Sequence, residues 1–201
     1  MPAALDTLLI GVSSFFRDAQ VFSELEHALL PALLAARGGA LQVMSAGVST
    51  GQELYSVAML LHALGGLDSS ELLGVDCRPD AIERARRGSY TAEELAGLSS
   101  ARQERFLTLH QGQAQICAQL RARVQWEVRD ALSFYENTQR DLILFRNVAI
   151  YLERSHADRT WASLTDQLRP GGILVTGKAE SPPAALGYER VASCLFRRHR
   201  R

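Results

Sequence analysis

The sequence predicts an α/β fold built on a mostly parallel β-sheet, and three features carry that expectation. Short apolar runs bounded by glycine or a charged residue alternate with longer stretches whose apolar residues recur at helical spacing. The alternation repeats: "ALQVMSA" leads into one helix and "ELLGVD" into another. Strands separated by helices imply right-handed crossovers between parallel neighbours, whereas the last run, "CLFRRH", has no helix after it and can enter antiparallel.

From Phe16 to Ala36, Val21, Phe22, Leu25, Ala28, Leu29 and Leu33 predict a long amphipathic helix, kinked at Pro31 and ended by Gly38-Gly39. "ALQVMSA" reads as a buried strand, and Leu54, Val57, Ala58, Leu61 and Leu64 form one face of the next helix. "ELLGVD" ends at Asp76, after which Pro79 starts a helix and Gly88 stops it. The middle of the chain reads as two short helical pieces, then "RFLTLH" and "QAQICA" as a small hairpin around a glycine turn. "RVQWEV", "DLILFRN" and "GILVTG" are further strands, with "RTWASLTDQLRPGG" between the last two as a helix closed by Pro-Gly-Gly.

Composition excludes several classes. The 201 residues suit one well-packed domain spanning 1–201, with the helix and hairpin insertion at about 90–123. Basic and acidic residues balance at 22 each, so no global field favours nucleic acid or an acidic membrane surface. Cys77, Cys117 and Cys194 are odd in number and lack metal or redox spacing, and the five histidines lack it too. No run approaches the roughly 18 apolar residues of a membrane span. "MPAALDTLLIG" also lacks the features of a signal peptide, so a cytoplasmic protein without direct membrane insertion or a bound metal is expected.

In an open parallel sheet, ligands collect beyond the carboxyl ends of the strands. There the sequence puts Ser45-Ala46-Gly47-Val48-Ser49-Thr50-Gly51, whose small side chains let backbone approach a ligand, and Asp76, an acid suited to ribose hydroxyls. The loop is neither G-x-G-x-x-G nor a P-loop with its lysine. Glu53 opens the following helix with a carboxylate that would repel phosphate and attract an amine. A positively charged nucleoside such as S-adenosylmethionine fits this pattern. Equally, Glu53 can be an ordinary first-turn acid and Asp76 an ordinary strand-end turn former.

Four longer motifs add to these. "VSSFFRD", "SAGVSTGQELYSVAMLL", "ARRGSY" and "FRNVAIYL" are similar, in order and spacing, to V-T-x-F-F-R, S-A-G-C-S-T-G-E-E-x-Y-S-x-A-M-x-L, A-R-x-G-x-Y and C-R-N-V-x-I-Y-F. These are motifs of the CheR-type methyltransferases that esterify glutamate side chains of chemotaxis receptors. The similarity runs from about Ile10 to about Phe196. The resemblance implies a Rossmann-like class I methyltransferase fold, with a mostly parallel seven-stranded sheet, an antiparallel last strand and a small inserted hairpin. It implies S-adenosylmethionine contacts from Ser13, Arg17, Ala46, Gly47, Glu53 and Asp76. Further along, it implies them from Asp130, Ala131, Phe145, Arg146 and Asn147, with Arg17 and Tyr151 facing the reaction. The implied substrate is the cytoplasmic part of a chemoreceptor-like protein, and the implied product is S-adenosylhomocysteine. Without the motifs, Arg17 can be paired with Asp18, Tyr151 can be an edge aromatic and Asn147 a turn former.

The chain departs from the pattern in places. Val48 replaces a cysteine, Gln52 a glutamate, Gly11 and Asp130 common asparagines, and "GKAES" the usual G-H-x-E-S. The family's N-terminal helical docking domain is not represented, because the sequence begins only about ten residues before "VSSFFRD". A methyltransferase with another protein or small-molecule acceptor, and a non-catalytic S-adenosylmethionine-binding signalling module, are the alternative functions.

Overall fold

The computed structural model describes residues 13–110, 113–130 and 138–199. After the "SSFFRD" segment comes a helical run: α1 (Ala19–Glu24), a π-helical turn (Leu25–Leu29) and α2 (Leu30–Ala36). Next are β1 (Gln42–Ala46), α3 (Gln52–Ala63), β2 (Glu71–Asp76), α4 (Pro79–Arg87) and β3 (Ser89–Tyr90). The middle of the chain supplies α5 (Ser100–Phe106), β4 (Leu107–His110), β5 (Gln113–Ile116), α6 (Ala118–Arg121) and β6 (Val124–Val128). β7 (Arg140–Phe145), α7 (Arg154–Gln167), β8 (Leu168–Thr176), β9 (Tyr188–Ala192) and β10 (Leu195–Arg198) complete the described fold.

Seven strands form one sheet in the order β6-β2-β1-β7-β8-β10-β9. β1 is parallel to β2 and β7, and β10 is antiparallel to both of its neighbours. From β1 the chain moves outward through β2 to β6, then returns to the other side of β1 as β7. The strand order therefore reverses between β1 and β7, which opens a crevice at their carboxyl ends. Among the described residues no helix is long and apolar enough to cross a membrane.

Strand alternation distributes the core. Val43, Leu72, Leu142, Leu144 and Val175 face the layer formed by the α1–α2 run, α3 and α4, where Phe22, Leu25, Leu54 and Ile82 are buried. Their neighbours Met44, Leu73, Ile143, Phe145 and Leu174 face the opposite side and pack with Trp161 and Leu164 of α7. Asp141, fully buried at the amino end of β7, accepts the Gln42 N–H at 2.8 Å and lies 2.8 and 2.9 Å from Arg37 and Arg169. This ion cluster ties α2, β1, β7 and β8 together at the sheet edge away from the crevice.

Several expected boundaries move. The first helix starts at Ala19 rather than Phe16, because Phe16 and Asp18 take positive φ values of 50° and 63°. Pro31 produces no break: the π-helical turn just before it accommodates a residue that has no N–H for the helical ladder. "LRPGG" begins β8 instead of closing α7, and the register with β7 shifts from Arg140 opposite Leu168 to Leu142 opposite Ile173, a bulge that admits Pro170. The hairpin gains β3 as a third strand, in the order β3-β5-β4, and only α5 of the two expected helical pieces before it forms a helix. β9 has no counterpart in the sequence reading, since "YERVA" is polar and half-exposed.

Gly97 marks where the connection toward α5 crosses the "SSFFRD" segment. A Cβ there would lie 2.1 Å from the backbone oxygen of Phe15, which cannot swing aside as a side chain can. Gly97→Ala is expected to destabilise the fold by about 1–3 kcal/mol, the scale of forced overpacking. Chemical denaturation showing a midpoint equal to the wild type would contradict this close approach.

Candidate functional site

The crevice is lined by the loops after β1, β2 and β7. Gly47 and Val48 donate their N–H groups to the Val75 carbonyl at 2.9 and 3.0 Å, which fixes the loop after β1 against β2. Gly47 has φ 71°, and a Cβ on it would come within 2.5 Å of the Val148 side chain from the loop after β7. Only hydrogen fits between the two loops, so glycine is what lets the loop after β1 pack this closely on the loop after β7. Ser49, also at positive φ (53°), donates its N–H to Asp76 Oδ2 at 2.8 Å.

Asp76 is buried at the carboxyl end of β2. Besides Ser49, its carboxylate accepts the Arg78 N–H and Nε–H, each at 3.0 Å. Its two oxygens are thus held by backbone donors, with the Arg78 guanidinium as a partner that the sequence reading did not assign. Asp130 is exposed just past β6. It lies near enough to Cys77 that, after burial and Asp76, its charge helps push that thiol up. Ala131 lies outside the described residues.

Arg146, at the end of β7, binds the pieces together. Its guanidinium is 2% exposed and donates to Glu53 Oε2 at 2.7 Å, to the Asp18 carboxylate, and to the Arg17 and Thr176 carbonyls, both at 3.2 Å. The resemblance implies a cofactor contact for this arginine. The structure shows a buried post that positions Glu53 and the Arg17-Asp18 turn. Burial raises the Glu53 carboxyl above its ordinary range, against the pull of Arg146, Arg17 and the Ser45 hydroxyl. At Asp18 burial also pushes upward, but Lys178, Arg146 and Arg17 prevail and hold the carboxyl below the usual range. Arg17 itself is exposed at the mouth.

Phe145 directs its ring into the core, edge-on to Trp161 with centroids 4.9 Å apart, leaving its backbone as the part that faces the crevice. Asn147 takes φ 57°, and its N–H donates to Glu180 at 2.6 Å. The same carboxylate accepts the Ile150 N–H at 3.2 Å and the Gly177 N–H at 2.9 Å, so Glu180 shapes the loop that carries Tyr151. The Tyr151 side chain is exposed on the short 3₁₀ turn Ala149–Tyr151. Ser13 is the first described residue and half-buried.

Ser56 accepts the Phe16 N–H at 3.0 Å and thereby seats "SSFFRD" on α3. Ser56, Asp18, Arg78, Lys178 and Glu180 were not singled out from the sequence. Glu180 was signalled by the glutamate of "GKAES" and Ser56 by the serine of "ELYS", yet neither motif reveals which backbone groups they hold.

The donors and acceptors suit S-adenosylmethionine: the half-buried Glu53 carboxylate in the first turn of α3, the buried Asp76 carboxylate at the end of β2, and a side-chain-free backbone at Gly47. A ligand ammonium meeting Glu53 favours its ionised form, so binding should release a proton and tighten as pH rises through the raised carboxyl range. Calorimetry with S-adenosylhomocysteine in buffers of different ionisation enthalpy should report that proton. Glu53→Gln should weaken binding about tenfold or more and flatten the pH dependence. An unchanged slope in the variant would remove Glu53 from the ammonium site.

Comparison with known proteins agrees with this geometry. Residues 11–194 match the family model described as CheR methyltransferase, SAM binding domain. The chemotaxis protein methyltransferase of Listeria monocytogenes is 32% identical over 176 residues, covering 88% of this chain and 67% of that protein. An uncharacterised 104.1 kDa protein of Rhodobacter capsulatus is 33% identical over 199 residues, covering 96% of this chain and 21% of its own length. Among solved structures, the N-methyltransferase NodS of Bradyrhizobium japonicum with S-adenosyl-L-homocysteine is 18% identical, with coverage of 88% and 87% and a TM-score of 0.49. With residues 11–194 matched to its S-adenosylmethionine-binding domain, the chain belongs to the CheR methyltransferase family.

Proposed function

We propose that this chain transfers a methyl group from S-adenosylmethionine to glutamate side-chain carboxylates in the cytoplasmic part of a chemoreceptor-like protein, giving a methyl ester and S-adenosylhomocysteine. The reading treats residues 1–201 as one catalytic domain acting in the cytoplasm, with the small β3-β5-β4 sheet as an insertion. One observation carries it. The same buried guanidinium, Arg146, fixes Glu53 on the cofactor side and the Arg17-Asp18 turn on the acceptor side.

When bound, the cofactor supplies an electrophilic methyl group on sulfonium sulfur. Glu53 would hold its ammonium and Asp76 its ribose hydroxyls, with the backbone at Ala46 and Gly47 alongside. On the acceptor side, a glutamate carboxyl has an ordinary pKa of about 4.3 and is already a nucleophile at neutral pH, so the reaction asks the protein for no general base. Orientation remains as the main task. The exposed Arg17 side chain can grip one carboxylate oxygen, and the exposed Tyr151 hydroxyl can donate a hydrogen bond to it. Both must leave the attacking oxygen free in line, because a cation pressed on that oxygen would drain its nucleophilicity.

The test is methyl transfer to receptor cytoplasmic fragments, read as methanol released by mild base. Esters release methanol, whereas N-methyl products do not, so stable incorporation would exclude a carboxylate acceptor. Arg17→Ala should lower turnover about a hundredfold, the scale of lost alignment, while S-adenosylhomocysteine affinity changes little. Equal turnover would remove Arg17 from its orienting role.

A further inference from the structure

The chain contains 22 lysine and arginine residues, of which Lys178 is the single lysine. It stands in "GKAES", between Gly177 and Glu180, on the loop that the Glu180 carboxylate fixes through the Gly177 and Asn147 N–H groups at 2.9 and 2.6 Å. Its ammonium lies 2.6 Å from Asp18 Oδ1, and its side chain is 72% exposed. The other Asp18 oxygen meets Arg146, which in turn meets Glu53. Four charges of alternating sign thus run from solvent inward: Lys178, Asp18, Arg146 and Glu53. The outermost carries three donors, and Asp18 occupies one side of it.

We propose that Lys178 is a specificity-determining residue that reads a second carboxylate on the acceptor, next to the one that is methylated. The inference rests on the glutamate-methylation reading above. Arg17 already serves the reacting carboxylate, and a second cation on that group would suppress its nucleophilicity. Lys178 faces outward, tethered to the residue adjacent to Arg17, and its ammonium is a compact charge on a flexible stem. On a helical acceptor, a side chain three or four positions away lies roughly 5–6 Å from the first and shares its face. An acidic residue at that spacing would find Lys178 while its neighbour occupies Arg17. Asp18 keeps the ammonium at the rim when no acceptor is present.

Being the single lysine makes the idea directly observable. Reductive methylation with ¹³C-formaldehyde preserves the charge and labels Lys178 and the chain amino terminus, and Lys178→Arg identifies which resonance belongs to the side chain. Two receptor cytoplasmic fragments serve as probes: one carries a second glutamate one helical turn from the methylated one, the other has glutamine at that second position. The Lys178 resonance should shift with the glutamate fragment and much less with the glutamine fragment. In turnover assays, Lys178→Gln should raise KM for the glutamate fragment about threefold, the scale of an ion pair open to water. The effect should shrink with added salt, with kcat and S-adenosylhomocysteine affinity unchanged. Lys178→Arg should restore most of the loss, and Lys178→Gln should not change KM for the glutamine fragment. A resonance that ignores the glutamate fragment or responds equally to both would overturn the proposal. So would a loss of S-adenosylhomocysteine affinity that matches the rise in KM, because it would assign Lys178 to the cofactor. Absence of methanol release from either fragment would refute the glutamate-transfer reading, while the resonance still decides whether this ammonium meets the acidic face.

Discussion

The site depends on one buried cation. From just past β7, Arg146 reaches three segments that are distant in sequence: the "SSFFRD" turn, the first turn of α3 and the end of β8. An arginine suits this position because its charge persists when buried and its planar fork offers several fixed donors at once. The arrangement is costly to disrupt, since removing the guanidinium would take away the cation that the half-buried Glu53 and Asp18 carboxylates share. Such a cluster contributes less to net stability than to holding loops in one arrangement, and that arrangement is what a methyl-transfer site requires.

Backbone strain gathers at the same edge of the sheet. Of the five non-glycine residues described with positive φ, Phe16, Asp18, Ser49 and Asn147 lie on loops around the crevice, and only Cys194 belongs elsewhere, in the turn between β9 and β10. Each such conformation costs of order 1 kcal/mol or more and persists where surrounding bonds determine it. Here those bonds are visible: Ser56 holds the Phe16 N–H, Asp76 holds that of Ser49, and Glu180 holds that of Asn147. The opposite edge, gathered by Asp141, has no comparable concentration of strained residues among those described.

The order of β1, α3, β2 and α4 was legible in the sequence because each element satisfies its own local rule. Periodicity marks α3, Pro79 and Gly88 bound α4, and unbroken apolar runs give the two strands. β9 was not legible, since a polar edge strand buries too little to leave a pattern, nor was the start of β8, where a bulge absorbs a proline that normally signals the end of an element. Among the site residues, Glu53 and Asp76 could be singled out because a helix start and a strand end announce themselves. The work of Arg146 could not, because its partners Glu53 and Asp18 lie 93 and 128 residues away and no local rule connects them. The motif resemblance marked this arginine as a cofactor contact, and three-dimensional pairing adds the protein groups that it holds. Likewise Phe145 belongs to the site motif while its ring belongs to the core.

Glu180 carries a kinetic implication. Because its carboxylate engages the N–H groups of Asn147, Ile150 and Gly177, and the Thr176 hydroxyl holds its backbone carbonyl at 3.1 Å, this rim is held by the protein's own hydrogen bonds. Little chain entropy remains to be lost there on association. Encounter should therefore proceed at a rate set by diffusion and orientation, without a slow closing phase at this loop. At a rim held in this way, differences in affinity between related ligands would fall mainly on the dissociation step.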